Sequence, residues 1–118
     1  MKKHHTLYKL DESGTPVPVD LANPHNALDW GEWRWKHHQK CVVAKNVVCA
    51  KDGGPLVEIS TVFTGTNAGG DPPLLWETMF RRTGGDEGHY ASYASRVDAE
   101  VGHLRALTHF QKVVDQDN

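Results

Sequence analysis

LVEISTVFT (residues 56–64) and LLWETMFRR (residues 74–82) decide how this chain folds. Each is a run of β-branched, aromatic and aliphatic residues, which predicts a strand. The segment between them, GTNAGGDPP (residues 65–73), supplies the connection. Its glycines tolerate positive φ, and Pro72-Pro73 stiffens the entry to the second strand. Directly opposed residues of an antiparallel pair share a face, so the register can be argued. Pairing Phe63 with Trp76 sets Thr61 against Thr78 and Ile59 against Phe80. The same register puts Glu58 opposite Arg81 on the other face. A one-residue slip would break both the apolar and the charged match. The predicted core face is Val57, Ile59, Phe63, Trp76 and Phe80. The reverse face carries Ser60, Val62, Leu75, Glu77 and Met79. That face is too apolar for a fully solvated surface, so a helix or a partner must cover it.

Working outward, Cys41 to Ala50 is rich in valine and reads as a strand, closed by the turn Asp52-Gly53-Gly54. On the other side, Thr83 to Gly88 is a glycine-rich turn and His89–Ala94 a short last strand. Ser95 then reads as a helix N-cap, with Asp98 three residues on in the capping-box position. Val97, Val101, Leu104, Leu107 or Thr108, and Val114 recur at helical spacing, predicting a helix from about Arg96 to Val114. Gly102 inside it costs about 1 kcal/mol relative to alanine, and such a glycine often admits a close neighbour. Towards the N-terminus, residues 6–10 and Pro16–Val19 flank the turn cluster Asp11–Thr15 and read as a hairpin with the prolines on an edge. Asn23-Pro24 is a helix start, with Asn capping and Pro at the first position. That helix is predicted over 24–39, with Trp30, Trp33 and His37 on one side and Leu28 and Trp35 on the other. Two indoles bury more apolar area than the alternative, so Trp30 and Trp33 face the core and Trp35 faces water. The resulting fold is α+β, a single domain over residues 1–118. An antiparallel sheet of about four main strands, with an N-terminal hairpin, packs with two helices, about 24–39 and 96–114.

The 118 residues suit one domain able to bury a core without metal or disulfide staples. A net charge of −2 gives no global field that favours nucleic acid or a membrane surface. The charge is uneven: Arg34 to Lys51 holds five Lys or Arg and no Asp or Glu, whereas the acidic excess lies beyond Asp86. No run reaches the eighteen or so apolar residues of a membrane span. The charged start Met-Lys-Lys-His-His has no apolar core behind it, which is not a secretory signal. The expected location is the cytoplasm, where Cys41 and Cys49 would stay reduced.

No catalytic signature stands out. His37 and Cys41 have the i,i+4 spacing of helix-borne ligands, but nothing completes a zinc tetrad. A surface histidine pair and two buried thiols are the simpler reading, and no metal or cofactor is implied. A Cys41–Cys49 disulfide needs Cα atoms within about 7 Å, which one continuous strand forbids. The near-palindrome CVVAKNVVC (residues 41–49) could instead turn back at Lys45 and allow it; the single strand is favoured. A Cys–His pair through His89 or His103 lacks any supporting pattern. Glu77 with Glu58 or Asp71 could serve as paired carboxylates. The simpler role for Glu77 is a polar residue on a half-covered face, or a partner of Arg82 or Arg105. The loop over residues 65–73 has no Lys followed by Ser or Thr and is no phosphate loop, although a long exposed loop is a natural contact site. Trp33, Arg34, Trp35, Lys36 and Lys40 interleave aromatic and basic residues, a pattern that can stack single-stranded nucleic acid. An amphipathic helix with a basic side is the simpler reading. Exposed Trp and Arg also suit a protein-binding hot spot, preferred here because the domain lacks a basic pI.

STVF (residues 60–63), Gly69-Gly70, PPLL (residues 72–75) and ETM (residues 77–79) together resemble a family of small proteins encoded by tailed phages and prophages. That family reads roughly Ser-Thr-Val-Phe-Leu-Gly, a glycine-rich loop, then Gly-Pro-Pro-Leu-Leu-Phe-Glu-Thr-Met. Ala99-Glu-Val-Gly-His103 is similar to its Glu-Ala-Gly-His helix. The likeness spans residues 57–104, with departures at Thr64, Trp76 and Thr66-Asn67-Ala68. It implies a phage or mobile-element setting and carries no catalytic residue across. The expected function is that of a non-catalytic accessory protein that binds a host or phage macromolecule in the host cytoplasm. A host-takeover or anti-defence inhibitor, for example of a CRISPR-type complex, fits that setting. The expected contact residues are Arg34, Trp35, Lys36 and His38 on the helix, Asn67 and Asp71 on the loop, and Glu77 on the reverse face. A protein partner is preferred to nucleic acid, a homo-oligomer is possible on the pattern of Val62, Leu75 and Met79, and no membrane is involved. The alternatives are a small metal- or thiol-dependent enzyme and a self-assembling structural component.

Overall fold

The computed structural model describes residues 7–54, 56–67 and 69–116. The charged start Met1–His5, Thr6 of the first expected strand, and Ala68 of the long loop lie outside them. The expected α+β architecture is present. A two-stranded antiparallel hairpin, β1 (Tyr8–Leu10) and β2 (Pro16–Pro18), comes first. Helices α1 (Pro24–Lys36) and α2 (His38–Cys41) follow. A four-stranded antiparallel meander then runs β3 (Val42–Cys49), β4 (Leu56–Phe63), β5 (Trp76–Arg82), β6 (Glu87–Tyr93), in that spatial order. The last element is α3 (Arg96–Gln116).

The β4–β5 register is the one derived from matching faces: Phe63 opposes Trp76, Thr61 opposes Thr78, Ile59 opposes Phe80 and Glu58 opposes Arg81. β3 is one continuous strand, so the two cysteines stay apart and both are free. Cys41 ends a helical turn instead of opening the strand, and it is buried while Cys49 is exposed. The expected helix 24–39 breaks at His37, whose ring stacks on Trp33 (5.3 Å between centroids). β5 starts two residues later than predicted, and β6 begins earlier because Glu87 still pairs with Arg81.

α3 covers most of one face of the sheet, and Trp33, Leu10 and Cys41 close over its Phe63–Trp76 end. The cap of α3 is as expected, Ser95 Oγ accepting the Asp98 N–H at 3.1 Å. The helix phase is not. Ala99, Gly102, His103, Ala106, Phe110 and Val114 face the sheet, while Val97 and Leu104 are 67% and 64% exposed and Val101 is also exposed. Small residues win the inner stripe because the helix must come close: a Cβ at residue 102 would overlap the Tyr93 ring.

The core is two apolar clusters. One joins Val48, Val57, Ile59, Ala106, Phe110 and Val114. The other joins Leu10, Cys41, Phe63, Leu75, Trp76 and Ala99, with Tyr8 and Trp33 against it. Leu75, expected on the reverse face, is therefore enclosed, because the N-terminal hairpin closes over that end of the sheet. The hairpin is tied there by Tyr8 N–H to the Gly65 carbonyl (2.7 Å) and by Trp30 Nε1 to the Tyr8 carbonyl (2.7 Å). Gly65 has φ +73°, and a Cβ on it would stand 2.6 Å from the Tyr8 oxygen, so only glycine fits this seam.

Between the clusters runs a row of polar side chains, one from each main strand and one from α3. His103 Nε2 meets Asn46 Oδ1 at 2.8 Å and its Nδ1 meets Thr61 Oγ1 at 2.8 Å. Thr61 meets Thr78 at 2.5 Å, and Thr78 meets the Tyr93 hydroxyl at 2.9 Å. Gly102 makes room for Tyr93 to complete the row. Helix propensity alone would have Gly102→Ala gain about 1 kcal/mol. Overpacking against Tyr93 reverses the sign, and denaturant titration should show a loss of about 1–3 kcal/mol; a stabilised variant would refute this account of the glycine.

Candidate functional site

α3 covers one sheet face, and the other is left open along most of its length. Its side chains follow from strand alternation: Lys45, Val47 and Cys49 on β3, and Leu56, Glu58, Ser60 and Val62 on β4. Glu77, Met79 and Arg81 continue it on β5, with Glu87, His89 and Ser92 on β6. Val47, Leu56 and Met79 are 55%, 44% and 39% exposed. Charges stand between them in cross-strand pairs, Lys45–Glu58 at 3.2 Å and Arg81–Glu87 at 3.3 Å. Being exposed, these pairs add little stability. They do fix where charge sits on the face. A shallow groove of about 320 Å³ crosses it, lined by Lys45, Glu58, Ser60, Met79, Phe80, Arg81 and Glu87.

Glu77, the expected contact on this face, is half-buried there and approaches His89 Nε2 at 3.8 Å. The expected alternatives fail on geometry: Arg82 opposes Val57 on the covered face, and Arg105 belongs to the helix on that side. Trp35 is 81% exposed on α1, with exposed Leu28 one heptad earlier on the same stripe. Lys36 is exposed and pairs with Glu32 at 2.8 Å, and His38 Nδ1 is 3.2 Å from the Trp35 carbonyl. Arg34 is engaged with the fold: its guanidinium lies over the Trp30 ring at 5.5 Å and reaches the Phe63 carbonyl at 3.4 Å. Asn67 turns its side chain onto the Gly69 N–H (2.8 Å), and Asp71 is exposed. The helix residues and Glu77 thus sit on separate surfaces.

The buried polar row has the connectivity of a nucleophile, base and orienting group: Thr61 hydroxyl, His103 imidazole, Asn46 amide. Access decides its role. Thr61 and Thr78 have no exposed surface and His103 is 2% exposed, so no substrate reaches the hydroxyl in this conformation. Asn46 Oδ1 can only accept, so His103 Nε2 carries hydrogen and Nδ1 accepts from Thr61 in the neutral ring. The direction then propagates: Tyr93 donates to Thr78, Thr78 to Thr61, Thr61 to His103. Every buried polar group in the row is satisfied, which is the condition for keeping such groups in a core. Burial also pushes the Cys41 thiol above its ordinary pKa, away from thiolate chemistry. Among the described residues no group of three or more His, Cys, Asp or Glu is placed to hold a metal ion. None of their helices is long and apolar enough to cross a membrane. Comparison with protein families, with curated proteins and with solved structures returned no match.

Sequence reasoning missed the polar row. Its signal was two threonines in register on an otherwise apolar core face, which demand a polar partner from the covering helix. Desolvation lowers the pKa of His103 below its ordinary 6.5. The folded state then binds fewer protons than the unfolded one as the pH falls past that value. Stability from His103 is full above pH 6.5 and is lost as the pH drops through the folded pKa. Thermal unfolding across pH 8 to 5 should show this slope for the wild type and a flatter one for His103→Gln; equal slopes would remove His103 as the cause.

Proposed function

We propose that this chain is a non-catalytic accessory protein that acts by binding another protein through the open sheet face. The observation that carries the reading is that face itself, four strands wide, with exposed aliphatic residues between fixed charge pairs. Aliphatic residues held at 39–55% exposure keep apolar surface in water, and burying it against a partner is favourable. The charge pairs supply register and discrimination more than affinity. The phage or mobile-element setting comes from the family resemblance of residues 57–104 and is an analogy, not residue chemistry. In that setting the partner is a host or phage protein, and the task is takeover of a host function or inhibition of a defence complex such as a CRISPR-type assembly. The host cytoplasm is the corresponding place of action. A protein partner is favoured over nucleic acid because this face balances Lys45 and Arg81 against Glu58, Glu77 and Glu87.

Capture from a host lysate with tagged wild type, Met79→Glu, Leu56→Glu and Trp35→Ala proteins tests the reading. The first two variants should unfold within about 0.5 kcal/mol of wild type, being surface changes. They should lose the captured protein by at least about tenfold, as hot-spot truncations do. Equal capture by Met79→Glu and Leu56→Glu, with loss only in Trp35→Ala, would move the site to α1. Arg34→Glu is a poor probe, because Arg34 also holds Trp30 and the Phe63 carbonyl.

A further inference from the structure

β3 is an edge strand, and its free edge can be read residue by residue. Leu56 aims its backbone away from β3: its N–H donates to Thr83 Oγ1 (3.2 Å) and its carbonyl accepts from the Thr83 N–H (2.9 Å). Backbone groups alternate sides along an antiparallel strand. Leu56 and its partner Cys49 therefore form a non-hydrogen-bonded pair, and Cys49 points its own N–H and C=O off the sheet. Gln111 Nε2, reaching the Cys49 carbonyl at 2.9 Å, agrees with that direction. Counting back in twos, Val47 and Lys45 present their backbone groups to the same edge. Among the described residues no strand takes them.

The opposite edge is different. β6 carries an irregularity beside His89, with Glu87 and Gly88 next to it, the features that discourage pairing. β3 is regular from Ala44 to Cys49. The strand also belongs to CVVAKNVVC (residues 41–49), which reads the same in both directions except for Ala44 and Asn46. Its centre, Lys45, is the first candidate axis for pairing β3 with an antiparallel copy of itself. An open groove of about 460 Å³ between β3 and α3, lined by Val48, Leu107, Thr108, Gln111, Lys112 and Asp115, leaves the edge approachable.

We propose that the free edge of β3 pairs antiparallel with the same edge of a second copy of this chain, about a two-fold axis at Val47. The palindrome's own centre is excluded. An axis at Lys45 would oppose two lysines, and it would require Cys41 to Val43, which a helical turn and a bulge remove from the ladder. At Val47 the axis opposes two valines and sets each Lys45 against a Cys49. The outward backbone groups of Lys45 and Val47 then find partners, the Cys49 carbonyl accepting a second hydrogen bond beside that from Gln111, and the two meanders become one sheet with a continuous open face. This inference does not rest on the proposed function.

Sedimentation velocity of the wild type should give twice the 13.2 kDa chain mass. Val47→Pro should sediment as a monomer with an unchanged circular dichroism spectrum, since the Val47 N–H does not bond β4. Val47→Cys in a Cys49→Ser background gives a readout that survives if proline disturbs folding. Opposed Cα atoms about 5.5 Å apart lie within disulfide range, so oxidation should link two copies. A monomeric wild type at every concentration overturns the proposal. So does a dimer that persists in Val47→Pro and fails to cross-link, which would place the contact elsewhere. A monomeric wild type that loses a captured protein on Val47→Pro would assign the edge to a foreign strand, and that also overturns it.

Discussion

The hydrogen bonds joining Asn46, His103, Thr61, Thr78 and Tyr93 constrain the rest of the molecule. Each member comes from a different element, so the row exists only when four strands and one helix hold their relative registers. A slip in any strand, or a turn of α3, leaves a buried donor or acceptor unpaired at a cost of about 1–3 kcal/mol. Apolar packing rewards many arrangements nearly equally. The polar row rewards one, and so specifies which face of α3 meets the sheet.

That constraint explains the helix phase. α3 could have laid Val97, Val101 and Leu104 on the sheet, which is what hydrophobic spacing favours. It lays down Ala99, Gly102, His103 and Ala106 instead. The small residues bring the helix near enough for His103 to reach Thr61, and the larger Phe110 and Val114 join the apolar cluster with Val57 and Ile59. The pattern was therefore misleading for a physical reason: satisfying buried polar groups outweighed burying three aliphatic side chains. The β4–β5 register was legible because both of its faces were encoded, aromatic against aromatic on one and charge against charge on the other. The enclosure of Leu75 was not legible, because it depends on where a distant hairpin docks. Nor was the anchoring of Arg34, whose partners Trp30 and Phe63 come from separate elements.

The same division separates structure from candidate function. Of the residues that carry the proposed resemblance, Thr61, Phe63, Thr78, Gly102 and His103 lie on the covered side and Leu75 is enclosed, with roles in packing and hydrogen bonding, whereas Ser60, Val62, Glu77 and Met79 lie on the open face. Residues that the fold does not use, Val47, Leu56 and Met79, collect on the open face. The apolar patterning of the central hairpin's covered face is thus accounted for by the core. What the core leaves over is the surface open to a partner.

α1 illustrates a difference between the two exposed surfaces. Every strand of the meander is locked by its neighbours and by the polar row, whereas α1 has no fully buried residue and is held mainly through Trp30, Trp33 and Arg34. Its amides should exchange with solvent by local opening, ahead of those in β4 and β5. A partner gripping Trp35 would have to order its own foothold and would spend binding free energy on doing so. The open sheet face is already rigid. Preorganisation therefore favours the sheet over the helix as the tighter of the two surfaces, even though Trp35 is the more conspicuous residue.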